Sequence, residues 1–85
     1  MAHYQLQTAQ PWFDAIWSGR RTFHIIENEH NYQVGDILEI LEYYENHRNP
    51  FGKKLSVKIT YLLNHPAFIL RGFCVFSFII INRDE

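Results

Sequence analysis

The sequence predicts an α+β fold that is mainly β: a small β-barrel of about five strands with one principal helix after the first strand. Three observations predict this class. Several segments alternate apolar and polar residues with the period of a half-buried strand, and residues 55–61 do so most cleanly. Only the segment after Pro11 repeats apolar residues convincingly at helical spacing. Residues 73–81 are apolar on both faces, which favours a closed barrel over a sandwich with exposed edges.

The first strand and the helix occupy the N-terminal quarter of the chain. Residues 3–7 (HYQLQ) form a short alternating segment. Thr8 or Gln10 precedes the helix, and Pro11 suits its first turn because the missing N–H is not needed there. Gly19 is suited to a left-handed helix end. The spacing predicts a helix of about 8 to 10 residues, with its apolar positions at Trp12, Phe13, Ile16 and Trp17.

Four strands follow the helix. The residues after Arg21 change to period two, and a long apolar strand covers residues 37–44 after a polar connection. Residues 45–52 (ENHRNPFG) combine Asn, Pro and Gly and predict a loop. The fourth and fifth strands cover residues 55–61 and 73–81. The segment between them contains Pro66, and the sequence does not decide whether residues 66–70 form a short helical turn.

Composition limits the functional classes. One cysteine, Cys74, excludes an internal disulfide and a thiolate zinc cluster, so a reduced, cytoplasmic setting is expected. The N-terminus lacks the features of a signal peptide, and the longest apolar run has about half the ~20 residues of a membrane helix. Five histidines lack a ligand-like i, i+4 helical pair. We therefore expect no membrane contact, no metal and no cofactor.

The charge balance does not predict a general nucleic-acid binder. Eight Lys and Arg residues oppose nine Asp and Glu residues, and the net charge is −1. A nucleic-acid binder usually has a basic excess or a basic face. The sequence still allows a basic face, if the cations lie together and the acids lie elsewhere. The residues that could form it are Arg20, Arg21, Lys53, Lys54 and Lys58.

Nearly the whole chain resembles a known group of domains. The matching segments are HYQL at residues 3–6, PWFDAIWSGRRTF at 11–23, VGDILEI at 34–40 and the strand at 54–62. Together they resemble the compact, stand-alone ASCH (activating signal cointegrator homology) domains of the PUA-like superfamily. The resemblance implies one PUA-like β-barrel over residues 1–85 and a cleft beside the barrel that takes RNA.

The group's signature is roughly G-x-K-x-x-E-x-R. Gly19 is in place, and Arg21 stands where lysine is usual, which keeps the charge. His24 stands where glutamate is usual and Ile26 where arginine is usual. Two of the four signature positions therefore differ in chemistry.

The candidate site is a cationic cleft between the helix C-terminus and the barrel. Arg20 and Arg21 can contact phosphate through their guanidinium groups, or can merely satisfy the last helix carbonyls. His24 is either a cleft residue that donates to phosphate or stacks on a base, or a semi-exposed barrel residue. The predicted anion- or RNA-binding set is Gly19, Arg20, Arg21, Thr22, His24, Lys53 and Lys54. For Trp12, Tyr43 and Tyr44 the sequence leaves two roles open, which are stacking on a base and packing in the core.

The predicted function is an RNA- or nucleotide-binding module. One alternative is an amidohydrolase acting on acylated cytidine, because some relatives use a Lys-Thr-Glu set for that reaction. Here Arg21 occupies the lysine position and cannot act as a base, and His24 occupies the threonine position. We therefore predict no catalytic residue. The other alternative is a protein-interaction domain, such as a homodimer that buries the apolar last strand.

Overall fold

The computed structural model describes residues 2–44 and 51–84. Strands hold 57% of these residues, so the chain is mainly β. One short helix follows the first strand, as predicted. The elements in chain order are β1 (His3–Ala9), α1 (Trp12–Trp17), β2 (Phe23–Glu27), β3 (Ile37–Tyr43), β4 (Phe51–Leu63) and β5 (Phe73–Asp84).

The five strands form one sheet in the order β1-β3-β4-β5-β2. Strands β3, β4 and β5 are successive antiparallel neighbours, β2 pairs antiparallel with β5, and β1 pairs parallel with β3. The sheet curls into a half-barrel. Among the described residues no backbone pairing joins β1 to β2, so these strands form the two edges of the sheet. Helix α1 lies in the connection between them.

The core lies between the inner face of the sheet and α1. Strand alternation sends every second residue inward, as β3 shows with buried Leu38 and Ile40. Helix α1 contributes Phe13 and Ile16, and the connection between β2 and β3 contributes Tyr32. The remaining core side chains are Leu55, Val57, Ile59, Cys74, Phe76 and Phe78.

Helix α1 is shorter than its apolar spacing predicts. It has six residues, and Gly19 follows with a φ of 84° in the left-handed region. The Gly19 N–H donates to the carbonyl of Ile16 at 3.0 Å, and the Arg21 N–H donates to that of Ala15 at 2.9 Å. These bonds satisfy carbonyls at the helix end and turn the chain into β2.

Strand β4 begins earlier than predicted. The predicted loop at residues 45–52 includes Phe51 and Gly52, which are the first two residues of this strand. Residues 45–50, among them His47, lie outside the described part of the chain. A Cβ at Gly52 would lie 2.5 Å from Glu42 Oε1 and 2.8 Å from Tyr44 Cε2. Glycine at this position therefore marks a close approach to β3, whereas the sequence suggested a turn.

The segment between β4 and β5 forms a turn. The backbone N–H groups of Phe68 and Ile69 both donate to the carbonyl of His65 at 3.0 Å. Residues 66–70 contain no helix. The sequence left a short helical turn open there, and the structure has a hydrogen-bonded turn instead. Across the described ranges, the structure contains no helix with the length and apolar character needed to cross a membrane.

Candidate functional site

A cleft of about 350 Å³ lies at the open side of the half-barrel. One wall comes from β1, the other comes from β2, and the connection after β2 contributes the rest. Because the walls are the two unpaired sheet edges, the cleft exists where a closed barrel would have backbone pairing. The lining residues are Gln5, Leu6, Gln7, His24, Ile26, Glu27, Glu29 and Tyr32.

His24 is the buried polar group of this cleft. It is only 8% exposed, and its Nδ1 has no hydrogen-bond partner among the described residues. Its ring meets Phe76 edge to face at 6.0 Å between centroids. Burial, with a smaller contribution from the Arg21 guanidinium, lowers the pKa of His24 from 6.5 to about 4. The imidazole is therefore neutral at pH 7 and keeps an unused hydrogen-bonding atom.

The position of His24 follows from strand alternation in β2. His24 and Ile26 face the cleft, whereas Phe23 and Ile25 face outward and are about half exposed. The semi-exposed barrel position considered for His24 is wrong, because the side chain is buried. The signature positions at which this chain differs, His24 and Ile26, both line the cleft.

The cleft lining is acidic. Glu27 and Glu29 contribute carboxylates, and Gln5 and Gln7 contribute amides. Burial, followed by the charge of Glu29, raises the pKa of Tyr32 to about 12, so its phenol stays protonated. No lysine or arginine of residues 2–44 and 51–84 lines the cleft. A phosphate would be repelled there, whereas a ligand rich in N–H or O–H donors would meet acceptors.

Two arginines follow the helix end and lead into β2. The Arg20 Nε donates to Ser18 Oγ at 3.0 Å. The Arg21 Nε donates to the Phe23 carbonyl at 3.0 Å, and its guanidinium lies 5.0 Å from the centre of the Phe23 ring. No carboxylate of the described residues lies within 4.0 Å of either arginine. Their charges are thus held by neutral groups and stay available to an anion.

Thr22 separates these arginines from the cleft residue His24. Its side chain is exposed, and its backbone carbonyl accepts the N–H of Phe78 at 3.1 Å. This bond fixes the start of β2 against β5. Gly19, Arg20, Arg21, Thr22 and His24 follow one another along the chain from the helix end into β2, and of these five only His24 lines the cleft.

Lys53 and Lys54 do not act together, because adjacent strand residues point to opposite faces. Lys53 faces α1, and its Nζ lies 5.0 Å from the centre of the Trp17 ring. Lys54 lies on the outer face, with its Nζ 3.9 Å from Glu39 and 3.7 Å from Asp84. The structure does not bring Lys54 to the helix end, and the chain's own carboxylates engage it.

Arg83 is a cation at the helix end that the sequence analysis missed. Its Nε donates to the Trp17 carbonyl at 2.9 Å, and its guanidinium carbon lies 5.9 Å from the Trp17 ring centre. Arg83, and not Arg20 or Arg21, therefore donates a side-chain bond to a carbonyl at the helix end. Alternation continued past residue 81 would have placed Arg83 in the last strand.

The candidate stacking residues lie apart from the cleft lining. Trp12 is 55% exposed on α1, and Trp17 is partly buried against the core, so neither tryptophan occupies the core itself. Phe13 and Ile16 fill that place. Tyr43 and Tyr44 are half-buried at the end of β3. The exposed ring of Trp12 is compatible with stacking.

Glu42 is a buried carboxylate with a structural role. It is 3% exposed and accepts hydrogen bonds from the Lys53 N–H at 3.0 Å, from Gln10 Nε2 and from the Tyr44 side chain. Burial alone would raise the pKa of Glu42, but these bonds and the Lys53 charge outweigh it and lower the pKa. The ionised carboxylate ties the α1 entry to β3 and β4.

One protein family matches this chain. The model of the family described as "Domain of unknown function (DUF3850)" matches residues 3–78. This range runs from the start of β1 into β5 and includes the whole cleft lining. No curated protein matches the sequence.

Proposed function

The chain belongs to the DUF3850 family, and we propose that it is an RNA- or nucleotide-binding module. In this proposal a base enters the cleft between β1 and β2, and its phosphate lies outside on Arg20 and Arg21. The half-barrel is proposed to be a PUA-like barrel of the ASCH type, because the resembling segments fall on β1, α1, β3 and β4. A cytoplasmic location is part of the same proposal.

The observation that carries the proposal is the unsatisfied Nδ1 of His24. A buried polar atom without a partner costs about 1–3 kcal/mol, and a ligand that supplies the missing bond recovers that cost. His24 lines the cleft, although its Nδ1 atom is itself buried. The charge of Arg21 is close enough to lower the pKa of His24, and its guanidinium lies over the outward-facing Phe23 ring. A hydrogen-bonding group and an anion-binding group are therefore neighbours.

The separation of charges fits the two ends of a nucleotide. A base or ribose offers N–H and O–H donors, which the carboxylates of Glu27 and Glu29 can accept. A phosphate needs cations and is excluded from the acidic lining, but Arg20 and Arg21 lie outside it without carboxylate partners among the described residues. The cleft volume of about 350 Å³ lies in the range of small-ligand pockets.

The experiment is a titration with the four ribonucleoside 5′-monophosphates and with a mixed-sequence single-stranded RNA of about 12 nucleotides. Binding is followed by NMR chemical shifts and by calorimetry at several salt concentrations. We expect the RNA affinity to fall steeply with salt, because each phosphate contact releases counterions. Arg21→Glu should weaken binding whatever the base sequence, since phosphate contacts carry no sequence information. His24→Phe should weaken binding without changing the salt slope.

Lys58→Glu is the matched control. Lys58 is exposed on β4 between the buried residues Val57 and Ile59, so it faces away from the helix end. The substitution changes the net charge as much as Arg21→Glu does but should leave binding nearly unchanged. An equal loss in both variants would refute a localised site. The absence of binding to mononucleotides and RNA at low salt would refute the function.

A further inference from the structure

Strand alternation sorts the charges at the ends of β4 and β5. Lys53 and Arg83 point toward α1, whereas Lys54 and Asp84 point outward and pair with each other at 3.7 Å. The acid next to Arg83 is thus neutralised on the opposite face of the sheet. Lys53 and Arg83 have no carboxylate of the described residues within 4.0 Å of their side-chain nitrogens. In a chain with net charge −1, two cations therefore lie together at the helix end, and Lys53 also interacts electrostatically with the buried Glu42 carboxylate.

Trp17 holds the two cations in place. One side of its ring packs against Phe13 at 5.8 Å between centroids. The Lys53 Nζ and the Arg83 guanidinium lie 5.0 and 5.9 Å from the ring centre. Cation–aromatic contacts of this kind restrict long side chains without neutralising them. The bond from Arg83 to the Trp17 carbonyl adds a fixed anchor.

This surface is continuous with the two arginines of the proposed nucleotide site. Arg83 is bonded to Trp17, and Arg20 is bonded to Ser18. Trp17 and Ser18 are adjacent in the chain, so both arginines are anchored at the same end of α1. Arg21 follows Arg20, with its guanidinium over the outward-facing Phe23 ring. The cations therefore form a track around the end of α1, through Arg21, Arg20, Arg83 and Lys53.

We infer that Lys53 and Arg83 form a second phosphate-binding subsite, and that the ligand is a single-stranded polynucleotide rather than a free nucleotide. This inference rests on the proposed function. A mononucleotide that places its base in the cleft has its phosphate at Arg20 and Arg21 and cannot also reach the far side of Trp17. A strand has further phosphates that can follow the track. The strand must be single because a base has to leave its stack to enter a cleft between two sheet edges.

The test compares RNA strands of about 1, 3, 6 and 12 nucleotides against the wild type, Lys53→Gln and Arg83→Gln. We expect wild-type affinity to rise with length until the track is filled. Each substitution should lower the affinity for the longest RNA and reduce its salt slope by about 0.7, the value for one single-strand phosphate contact. The shortest ligand should be affected much less than the longest. Lys54→Gln is the matched control, because it removes the adjacent charge from the outer face.

The two proposals fail in different ways. If mononucleotides bind but affinity does not rise with length, the second subsite is overturned and the nucleotide site stands. If no RNA or nucleotide binds, both are overturned. Equal losses for Lys53→Gln and Lys54→Gln, or equal binding of a polyglutamate peptide, would reduce the track to general polyanion attraction and overturn the subsite. Arg83→Gln removes a hydrogen bond at the helix end and can unfold the protein. In that case Lys53→Gln decides the outcome, because the Lys53 side chain makes no hydrogen bond among the described residues.

Discussion

Replacing His24 by phenylalanine should remove a defined part of the protein's acid sensitivity. The side chain is buried beside Phe76, and its pKa is lowered from 6.5 to about 4. Phenylalanine keeps a ring at this position but cannot bind a proton. The comparison therefore isolates the proton linkage of one residue from the acid sensitivity of the rest of the chain.

The sign and size of the effect follow from the two pKa values. Between pH 6.5 and 4 the unfolded state binds a proton at His24 while the folded state does not, so folding stability falls as the pH is lowered. Above pH 6.5 the imidazole is neutral in both states and contributes no pH dependence. Lowering the pH from about 7 to about 5 should destabilise the wild type by about 2 kcal/mol through this residue.

The assay is urea unfolding at the two pH values, followed by circular dichroism. The wild type should lose about 2 kcal/mol more than His24→Phe between them. For a domain of this size that corresponds to a difference in melting temperature of about 8–16 °C. His65→Gln is a comparison variant: His65 is exposed in the turn between β4 and β5, where its Nδ1 accepts the N–H of Ala67 at 3.0 Å. Identical pH dependences for the wild type and His24→Phe would refute the claim that His24 is buried and neutral.

The remaining predictions concern the attachment of α1 to the sheet. Phe13→Ala should lower the free energy of unfolding by about 3–5 kcal/mol because it opens a cavity under the helix. The neighbouring Trp12→Ala should lower it by less than about 0.5 kcal/mol, because Trp12 is exposed. Urea titrations measure both losses, and similar values would contradict the buried and exposed positions of these two residues. Glu42→Gln should cost about 2 kcal/mol at neutral pH because the donors of Gln10 and Lys53 lose a charged acceptor. The folded pKa of Glu42 lies below its ordinary 4.5, so its stabilisation is present above that pH and is lost as the pH falls through the folded pKa. The two proteins should therefore converge in acid, and a constant difference at all pH values would argue against an ionised carboxylate.

Periodicity predicted the order and type of the elements because burial on one face imposes it. Leu55, Val57 and Ile59 alternate in the sequence and are all buried. Element ends were predicted less well. Gly52 was taken as a loop residue, although its role is to admit Glu42 and Tyr44. Such a role depends on a neighbouring strand and leaves no local pattern. The parallel pairing of β1 with β3, likewise, is a contact between segments distant in sequence.

Of the predicted site residues, strand alternation in β2 brings His24 to the cleft, whereas Arg20 and Arg21 precede β2 and do not line it. The role of Arg83 was missed because it depends on the register of β5, where Arg83 pairs with Leu55. Lys54 was misplaced because adjacent charges were treated as one group. The predicted homodimer stays a prediction; Phe23, Ile25, Ile79 and Ile81 supply exposed apolar surface for it.

Both edges of the sheet come from one contiguous segment, since β1, α1 and β2 follow one another in the chain while β3, β4 and β5 form the middle. Any molecule that binds between the two edges would contact both ends of that segment and hold them together. Occupancy would then raise the melting temperature, since a ligand at 100 times its dissociation constant adds about 2.7 kcal/mol. Differential scanning fluorimetry over a library of nucleosides and short oligomers would thus show which of them bind, with no activity assay.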